Sequence, residues 1–281
     1  MAEIIDGKAI ACNVRAAVRM LALDFEKKHG RKAGLAVVRV GSDPASAVYV
    51  RNKIRACDEC NIRSFAYELK EDVTQAELNE LIVKLNNDKS VDGIIVQLPL
   101  PKHLDETATL ALISPDKDVD GFQSINAGKL FTGVKNGVVA CTPRGIMELI
   151  KSTGVKIAGK HAVVVGRSNI VGKPIAMLLL AADATVTVCH SKTDDLSSYT
   201  KTADILVVAV GRKNFISADM VKRGAVVIDV GINRDESGLH GDVDFDTVKS
   251  VAGYITPVPG GVGPMTVAML LQNTVDGAFR E

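Results

Sequence analysis

Three observations predict a two-domain α/β protein, each domain built on a parallel sheet. Helix-period segments alternate with continuous apolar runs along almost the whole chain, the pattern of parallel strands covered on both faces. The length, 281 residues, is long for one domain and comfortable for two. A buried strand at 161–166 runs straight into a glycine-containing turn and an apolar helix, and so opens a second α/β series.

The elements follow in order. Residues 7–29 are amphipathic and stop at Gly30, so they read as a helix. GLAVVRV (34–40) reads as a buried strand. GSDP (41–44) is a turn, and the segment after it is helical. SFAYEL is the next strand. Thr74, with Glu77 three residues on, is a capping-box signature that opens a further helix. GIIVQLPLP (93–101) is a continuous apolar strand ended by prolines. A long stretch over about 113–141, rich in Asp, Gly and Asn, reads as irregular, and the main boundary is placed near 140. The second series has strands HAVVVG (161–166), ATVTVC (184–189), DILVVAV (204–210) and AVVIDVG (225–231), and a last helix covers about 265–281.

Bulk properties exclude several function classes. The chain is 47% hydrophobic, enough for a sizeable core, and carries 34 basic against 33 acidic residues. A net charge of +1 argues against a nucleic-acid binder driven by a basic surface. No apolar run approaches a membrane span, and the first residues lack the pattern of a secretory signal. Cys12, Cys57, Cys60, Cys141 and Cys189 form an odd, scattered set, which suggests reduced thiols in a cytoplasmic setting.

The turn after 161–166 reads G-R-S-N-I-V-G rather than G-x-G-x-x-G. Gly166 can make the tight turn and Gly172 can let the helix start pack closely. Ser168 replaces the middle glycine. Backbone amides at the helix start still favour a phosphate, although an ordinary strand–helix turn would look similar. The second strand then ends in His190, Ser191, Lys192 and Thr193, with no carboxylate to bind ribose hydroxyls. With Arg167 in the turn, that composition suits a 2′-phosphate, and hence NADP over NAD. His190 is read as a hydrogen-bonded structural histidine.

Tyr49 and Lys53 lie four residues apart in a helical stretch and therefore share a face. Spacing alone leaves open whether they are surface residues or an aromatic plate beside a reactive amine. Two other patterns are set aside. DKDVDG (116–121) resembles the start of a calcium loop, but the twelfth position is Ala127 where the loop needs Glu. CDEC (57–60) has no second ligand pair that would make it a metal or redox site.

Taken together, VGSDPASAVYVRNK, GIIVQLPLP, KDVDGF with INAGKL, CTPRGIMELI, VVVGRSNIVGKP, DVGIN and PVPGGVGPMTVAML resemble the bifunctional methylenetetrahydrofolate dehydrogenase/methenyltetrahydrofolate cyclohydrolase family over essentially the whole chain. The resemblance implies an N-terminal parallel-sheet catalytic domain and a Rossmann-like dinucleotide-binding domain, with an active-site cleft between them. Residues 1–140 plus 265–281 would hold folate and 141–264 would hold NADP. It further implies a homodimer in the cytoplasm, tetrahydrofolate substrates, NADP as cofactor, and no metal, nucleic acid or membrane partner. Tyr49, Lys53, Gln97 and Asp120 match the family's catalytic and folate-binding positions. Gly166, Arg167, Ser168, Ser191, Ile232 and Thr266 match its cofactor positions, and Gly260 and Gly261 its substrate-facing turn.

The implied chemistry suits these residue types. Hydride transfer needs position above all. Ring hydrolysis instead needs a proton acceptor for the attacking water, and a desolvated Lys53 beside a cationic substrate is a usable general base. Gln97 would orient it, Tyr49 would stack on the flat folate ring, and Asp120 would accept from pterin N–H groups.

Overall fold

The computed structural model describes residues 1–280, apart from the side chains of Pro44, Ala45 and Val48. The chain opens with a short strand, β1 (Glu3–Ile4), and a long helix, α1 (Gly7–His29). Asp6 caps α1 by accepting from the Lys8 and Ala9 amides. Gly30 ends it at φ +71°, the left-handed conformation that glycine adopts without strain.

A compact α/β layer follows: β2 (Gly34–Val40), α2 (Pro44–Glu59), β3 (Arg63–Leu69), α3 (Gln75–Asn87) and β4 (Gly93–Val96). The strands pair in parallel in the order β3-β2-β4. Asp43 caps α2 through the Ser46 amide. The predicted capping box is present on α3, where Thr74 and Glu77 satisfy each other's backbone N–H. The alternate β2 residues Ala36, Val38 and Val40 join Leu78, Ile82, Ile94 and Val96 in one buried cluster. A bidentate ion pair from Arg31 to Asp92 (2.8 and 2.9 Å), plus the Gly34 amide on the same carboxylate, ties the start of β2 to the start of β4.

β4 is shorter than its apolar run. It stops at Val96, and the Leu98-Pro99-Leu100-Pro101 sequence leaves the ladder because proline has no N–H to give. A short helix the sequence did not show, α4 (Glu106–Leu112), follows the prolines; the stretch read as irregular contains α5 (Ser124–Thr132), and α6 (Cys141–Ser152) follows. Short helices without a full apolar stripe carry little periodic signal, which is why composition concealed them.

The second series gives β5 (His161–Val165), α7 (Gly172–Ala181), β6 (Thr185–Cys189), α8 (Leu196–Thr200), β7 (Ile205–Val208) and β8 (Val226–Asp229). A small antiparallel hairpin, β9 (Asn233–Asp235) with β10 (Gly238–His240), precedes α9 (Phe245–Val248), β11 (Tyr254–Ile255) and the final helix α10 (Val262–Ala278). Six strands form one parallel sheet in the order β1-β11-β8-β7-β5-β6. Both faces are covered: Val163, Val165, Leu206 and Val208 pack into one cluster, and the alternate Ala162, Val164, Ile205 and Val207 are also fully buried.

The chain divides into two compact units, Asn13–Cys141 with Val267–Glu281, and Met1–Cys12 with Thr142–Thr266. The first residues group with the later sheet because β1 hydrogen-bonds to β11. A two-residue strand has no periodicity to read, so the sequence placed those residues with the N-terminal domain. Among the described residues no helix is long and apolar enough to cross a membrane.

Candidate active site

In the unit Asn13–Cys141 with Val267–Glu281, the carboxyl ends of parallel strands collect the polar groups, as open α/β sheets do. Gln97 is the first residue past β4, and its amide still bonds to the Val38 carbonyl on β2. Segment 117–119 runs parallel to β4 through the Ile94–Asp118 bridge, so Asp120 emerges at the same end as Gln97. Lys53 lies within α2, the helix that follows β2. Its amine donates to Gln97 Oε1 at 3.1 Å. Gln97 Nε2 donates to the Leu98 carbonyl at 2.8 Å, which fixes the amide with its oxygen toward the lysine. Burial drives the Asp120 carboxyl above the ordinary carboxylate range; nearby Lys53 opposes the rise and Asp118 adds to it. Tyr49, one turn before Lys53, is 56% exposed, so its ring is free to meet a flat ligand.

Asp118 has a different task from Asp120. It is 3% exposed, and its carboxylate accepts from the Gly121, Phe122 and Gln123 amides and from Asn126 Nδ2. Asn126 in turn accepts from the Val138 amide, and Asn273 of α10 donates to the Val119 and Val139 carbonyls. Gly121 holds φ +74°, and a Cβ there would lie 2.5 Å from the Ala140 nitrogen. This network shapes the turn that presents Asp120. The sequence reading missed Asp118, Asn126 and Asn273; the first two were polar residues inside a loop-like stretch, and the third was an asparagine inside the apolar last helix.

In the unit of Met1–Cys12 with Thr142–Thr266, the sheet order reverses around β5, with β6 on one side and β7 on the other. The carboxyl ends of these strands enclose a cavity of about 280 Å³ lined by Gly166, Arg167, His190, Ser191, Arg212 and Phe215, among others. Gly166 adopts φ +126°, and a Cβ on it would lie 2.2 Å from the Ala209 carbonyl oxygen. Gly172 packs so closely that a Cβ would lie 2.3 Å from the Gly166 oxygen. Ser168 Oγ accepts from the Val171 and Gly172 amides at the start of α7. His190 is hydrogen-bonded, its Nδ1 accepting from the Lys192 amide. The cavity lining holds two arginines and a histidine but no carboxylate. Such a donor set fits the phosphorylated ribose of a dinucleotide. Ile232 is 60% exposed just past β8. Thr266 Oγ1 lies 2.9 Å from Thr142 Oγ1, and Gly260 has φ +110° under the Lys8 side chain. Gly261 is buried, with Gly7 packed against it so tightly that a Cβ on Gly7 would lie 1.9 Å from the Gly261 oxygen. Arg212 escaped the sequence reading because nothing local marks a loop arginine.

Two buried carboxylates brace the backbone beside this cavity: Asp242 accepts from the Val210, Gly211 and Arg212 amides, and Asp229 accepts from the Asp242 amide. Asp229, at the end of β8, accepts from the Gly231, Asp242 and Val243 amides, each at 2.9 Å. Burial nonetheless pushes its carboxyl up to about 6, and Asp242 adds repulsion. Between about pH 4 and 6 the folded protein therefore holds a proton that the unfolded chain, near 3.9, has released. The resulting stability is fully present below about pH 4 and is lost as pH rises through about 6. The wild-type unfolding free energy, taken relative to Asp229→Asn, is expected to fall by roughly 3 kcal/mol over that window. Urea unfolding at a series of pH values checks this, and a flat difference would refute it.

The fold and these two sites define a class: a two-unit α/β enzyme with a dinucleotide-type sheet and a separate amine–amide–carboxylate centre. Comparison with known proteins makes the class specific. Residues 5–120 match the catalytic-domain model of tetrahydrofolate dehydrogenase/cyclohydrolase, and residues 140–281 match that family's NAD(P)-binding domain. The chain is 59% identical to the bifunctional protein FolD of Magnetococcus marinus, covering 100% of this chain and 98% of that one. It is similar to the crystal structure of the bifunctional FolD methylenetetrahydrofolate dehydrogenase/cyclohydrolase of Campylobacter jejuni, with TM-score 0.97, 51% identity and 99% of both chains covered. The Trypanosoma brucei dehydrogenase-cyclohydrolase complexed with NADP and an inhibitor gives TM-score 0.93 at 41% identity, covering 99% of this chain and 98% of that one. The chain belongs to the tetrahydrofolate dehydrogenase/cyclohydrolase family.

Proposed function

We propose that this protein oxidises 5,10-methylenetetrahydrofolate to the 5,10-methenyl cation with NADP⁺ and hydrolyses that cation to 10-formyltetrahydrofolate. The observation that carries the residue assignment is the Lys53–Gln97 hydrogen bond at 3.1 Å beside the desolvated Asp120. The unit of Asn13–Cys141 with Val267–Glu281 takes the folate, and that of Met1–Cys12 with Thr142–Thr266 takes NADP. NADP⁺, when bound, supplies the hydride acceptor. Tyr49 stacks on the folate ring system, and Asp120 accepts from pterin N–H groups. In the hydrolytic step Lys53 removes a proton from the attacking water, and the ring nitrogen gains one as its carbon–nitrogen bond breaks. Gln97 aims the amine without adding charge.

Arg167 and Ser191 hold the 2′-phosphate of the cofactor at the ends of β5 and β6. Gly166 and Ser168 shape the turn beneath it. Ile232, Thr266, Gly260 and Gly261 complete the nicotinamide and substrate side of their unit. Arg167→Ser is expected to raise the KM for NADP⁺ about tenfold while leaving that for NAD⁺ within about twofold, since only the former loses a charge-assisted contact. Steady-state kinetics with both cofactors measure this, and equal changes would refute the assignment.

The assay that tests the function supplies methylenetetrahydrofolate with NADP⁺ or NAD⁺ and follows reduced cofactor, methenyl and formyl species separately. Absence of turnover with either cofactor would sink the proposal. A homodimer acting in the cytoplasm is the proposed assembly and compartment. It rests on the family resemblance, and light scattering during gel filtration tests the dimer.

A further inference from the structure

We propose that Arg212 is the base-stacking residue of the cofactor cavity, its guanidinium forming one wall of a purine slot. The inference rests on that cavity taking the adenosine half of NADP. Arg167 and Ser191 stand at the ends of β5 and β6, and Arg212 stands past the end of β7. β5 lies between β6 and β7, so those two ends are two strand spacings apart, roughly 10 Å. A 2′-phosphate anchored on the β6 side therefore leaves the purine about one ribose away, toward β7.

The cavity wall changes character in that direction. Ala209 and Val210, which follow β7, and Phe215 make it apolar, as a purine requires. The Arg212 guanidinium carbon lies 4.5 Å from the centroid of the Phe215 ring. A planar cation that covers a ring on one side and lines a cavity can take a base on its other side. Among the described residues Arg212 has no ion pair to turn it away.

The backbone carrying Arg212 is clamped. Asp242, fully buried, accepts from the Arg212 amide at 2.8 Å, from the Gly211 amide at 2.9 Å and from the Val210 amide at 2.6 Å. Asn233 Nδ2 donates to the same carboxylate at 2.9 Å. Asp242 and Asp229 interlock through glycines. A Cβ on Gly231 would lie 2.3 Å from the Asp242 carboxyl, and one on Gly241 would lie 1.8 Å from that of Asp229. The loop thus presents its arginine from a fixed backbone, which lowers the ordering cost of stacking.

Calorimetric titration with 5′-AMP and with adenosine 2′,5′-bisphosphate tests the assignment. Arg212→Lys keeps the charge and loses the plane. It is expected to weaken both probes by about five- to tenfold, equally, with unchanged salt dependence. Arg212 is exposed, so the unfolding midpoint should stay at the wild-type value. Two results would overturn the proposal: unchanged binding of both probes, or a loss confined to the bisphosphate, which would mean phosphate pairing instead. A wild-type protein that binds neither probe would overturn the cofactor reading of the cavity itself, and this inference with it.

Discussion

Replacing Lys53 with methionine is expected to abolish ring opening while hydride transfer remains measurable. Methionine keeps much of the length and apolar stem of lysine, so packing along α2 is preserved and only the amine is lost. Gln97 stays in place, because its Nε2 is bonded to the Leu98 carbonyl independently of Lys53. The two reactions differ in what they ask of the amine. Removing a hydride from the methylene carbon leaves no proton to collect, whereas water attacking the methenyl cation must shed one. A positioned general base contributes about 10²- to 10⁴-fold, so the cyclohydrolase rate should fall by about that factor. The dehydrogenase should fall by less than about tenfold, since positioning by Tyr49 and Asp120 survives. Methenyltetrahydrofolate should then accumulate in the spectrum as NADPH forms. Undiminished ring opening in this variant would refute Lys53 as the base. A second consequence concerns Asp120. Lys53 opposes the rise that burial imposes on this carboxyl, so the variant should protonate Asp120 at higher pH than the wild type does.

How far the sequence revealed this arrangement depended on whether a feature was periodic or relational. Long periodic elements were legible almost to the residue: α1 spans Gly7–His29 and β2 spans Gly34–Val40, as their patterns predict. The capping box on α3 was legible because Thr74 and Glu77 are fixed in spacing by the helix itself. Apolar continuity misled at β4, where the run extends past the point at which proline ends the ladder. β1 and β11 were invisible because pairing partners far along the chain, not local pattern, make them strands, and the three-residue strands of the hairpin are too short to show an alternation. The site shows the same split. Tyr49 and Lys53 could be placed on one helical face by counting. The Lys53–Gln97 bond joins residues 44 positions apart, and only the pairing of β2 with β4 brings Gln97 to the lysine. Asp242 and Arg212 belong to the relational class entirely, since each gains meaning from a backbone that folds against it.

The largest expected loss of stability comes from Asp118→Ala, and it separates the two aspartates of the DVDG turn. Asp118 receives four hydrogen bonds, from the Gly121, Phe122 and Gln123 amides and from Asn126. Truncation leaves the buried Gln123 amide and one Asn126 proton without that acceptor, and an unsatisfied buried donor costs about 1–3 kcal/mol. The total should be about 3–5 kcal/mol, in the range that marks a broken buried network. The urea midpoint should drop sharply with little change in slope. Asp118→Asn should fall between, because it keeps one oxygen but turns an amide toward a neighbour that already donates. Asp120 is the contrast. Among the described residues no hydrogen bond to its carboxyl occurs, and its burial disfavours the charge it carries. Asp120→Ala should therefore leave the unfolding midpoint at or slightly above wild type, while the KM for the folate rises at least about tenfold through loss of a charge-assisted contact. Two residues apart, one aspartate builds the turn and the other meets the ligand. An Asp118→Ala protein as stable as wild type would contradict the first role, and an Asp120→Ala protein with unaltered folate KM would contradict the second.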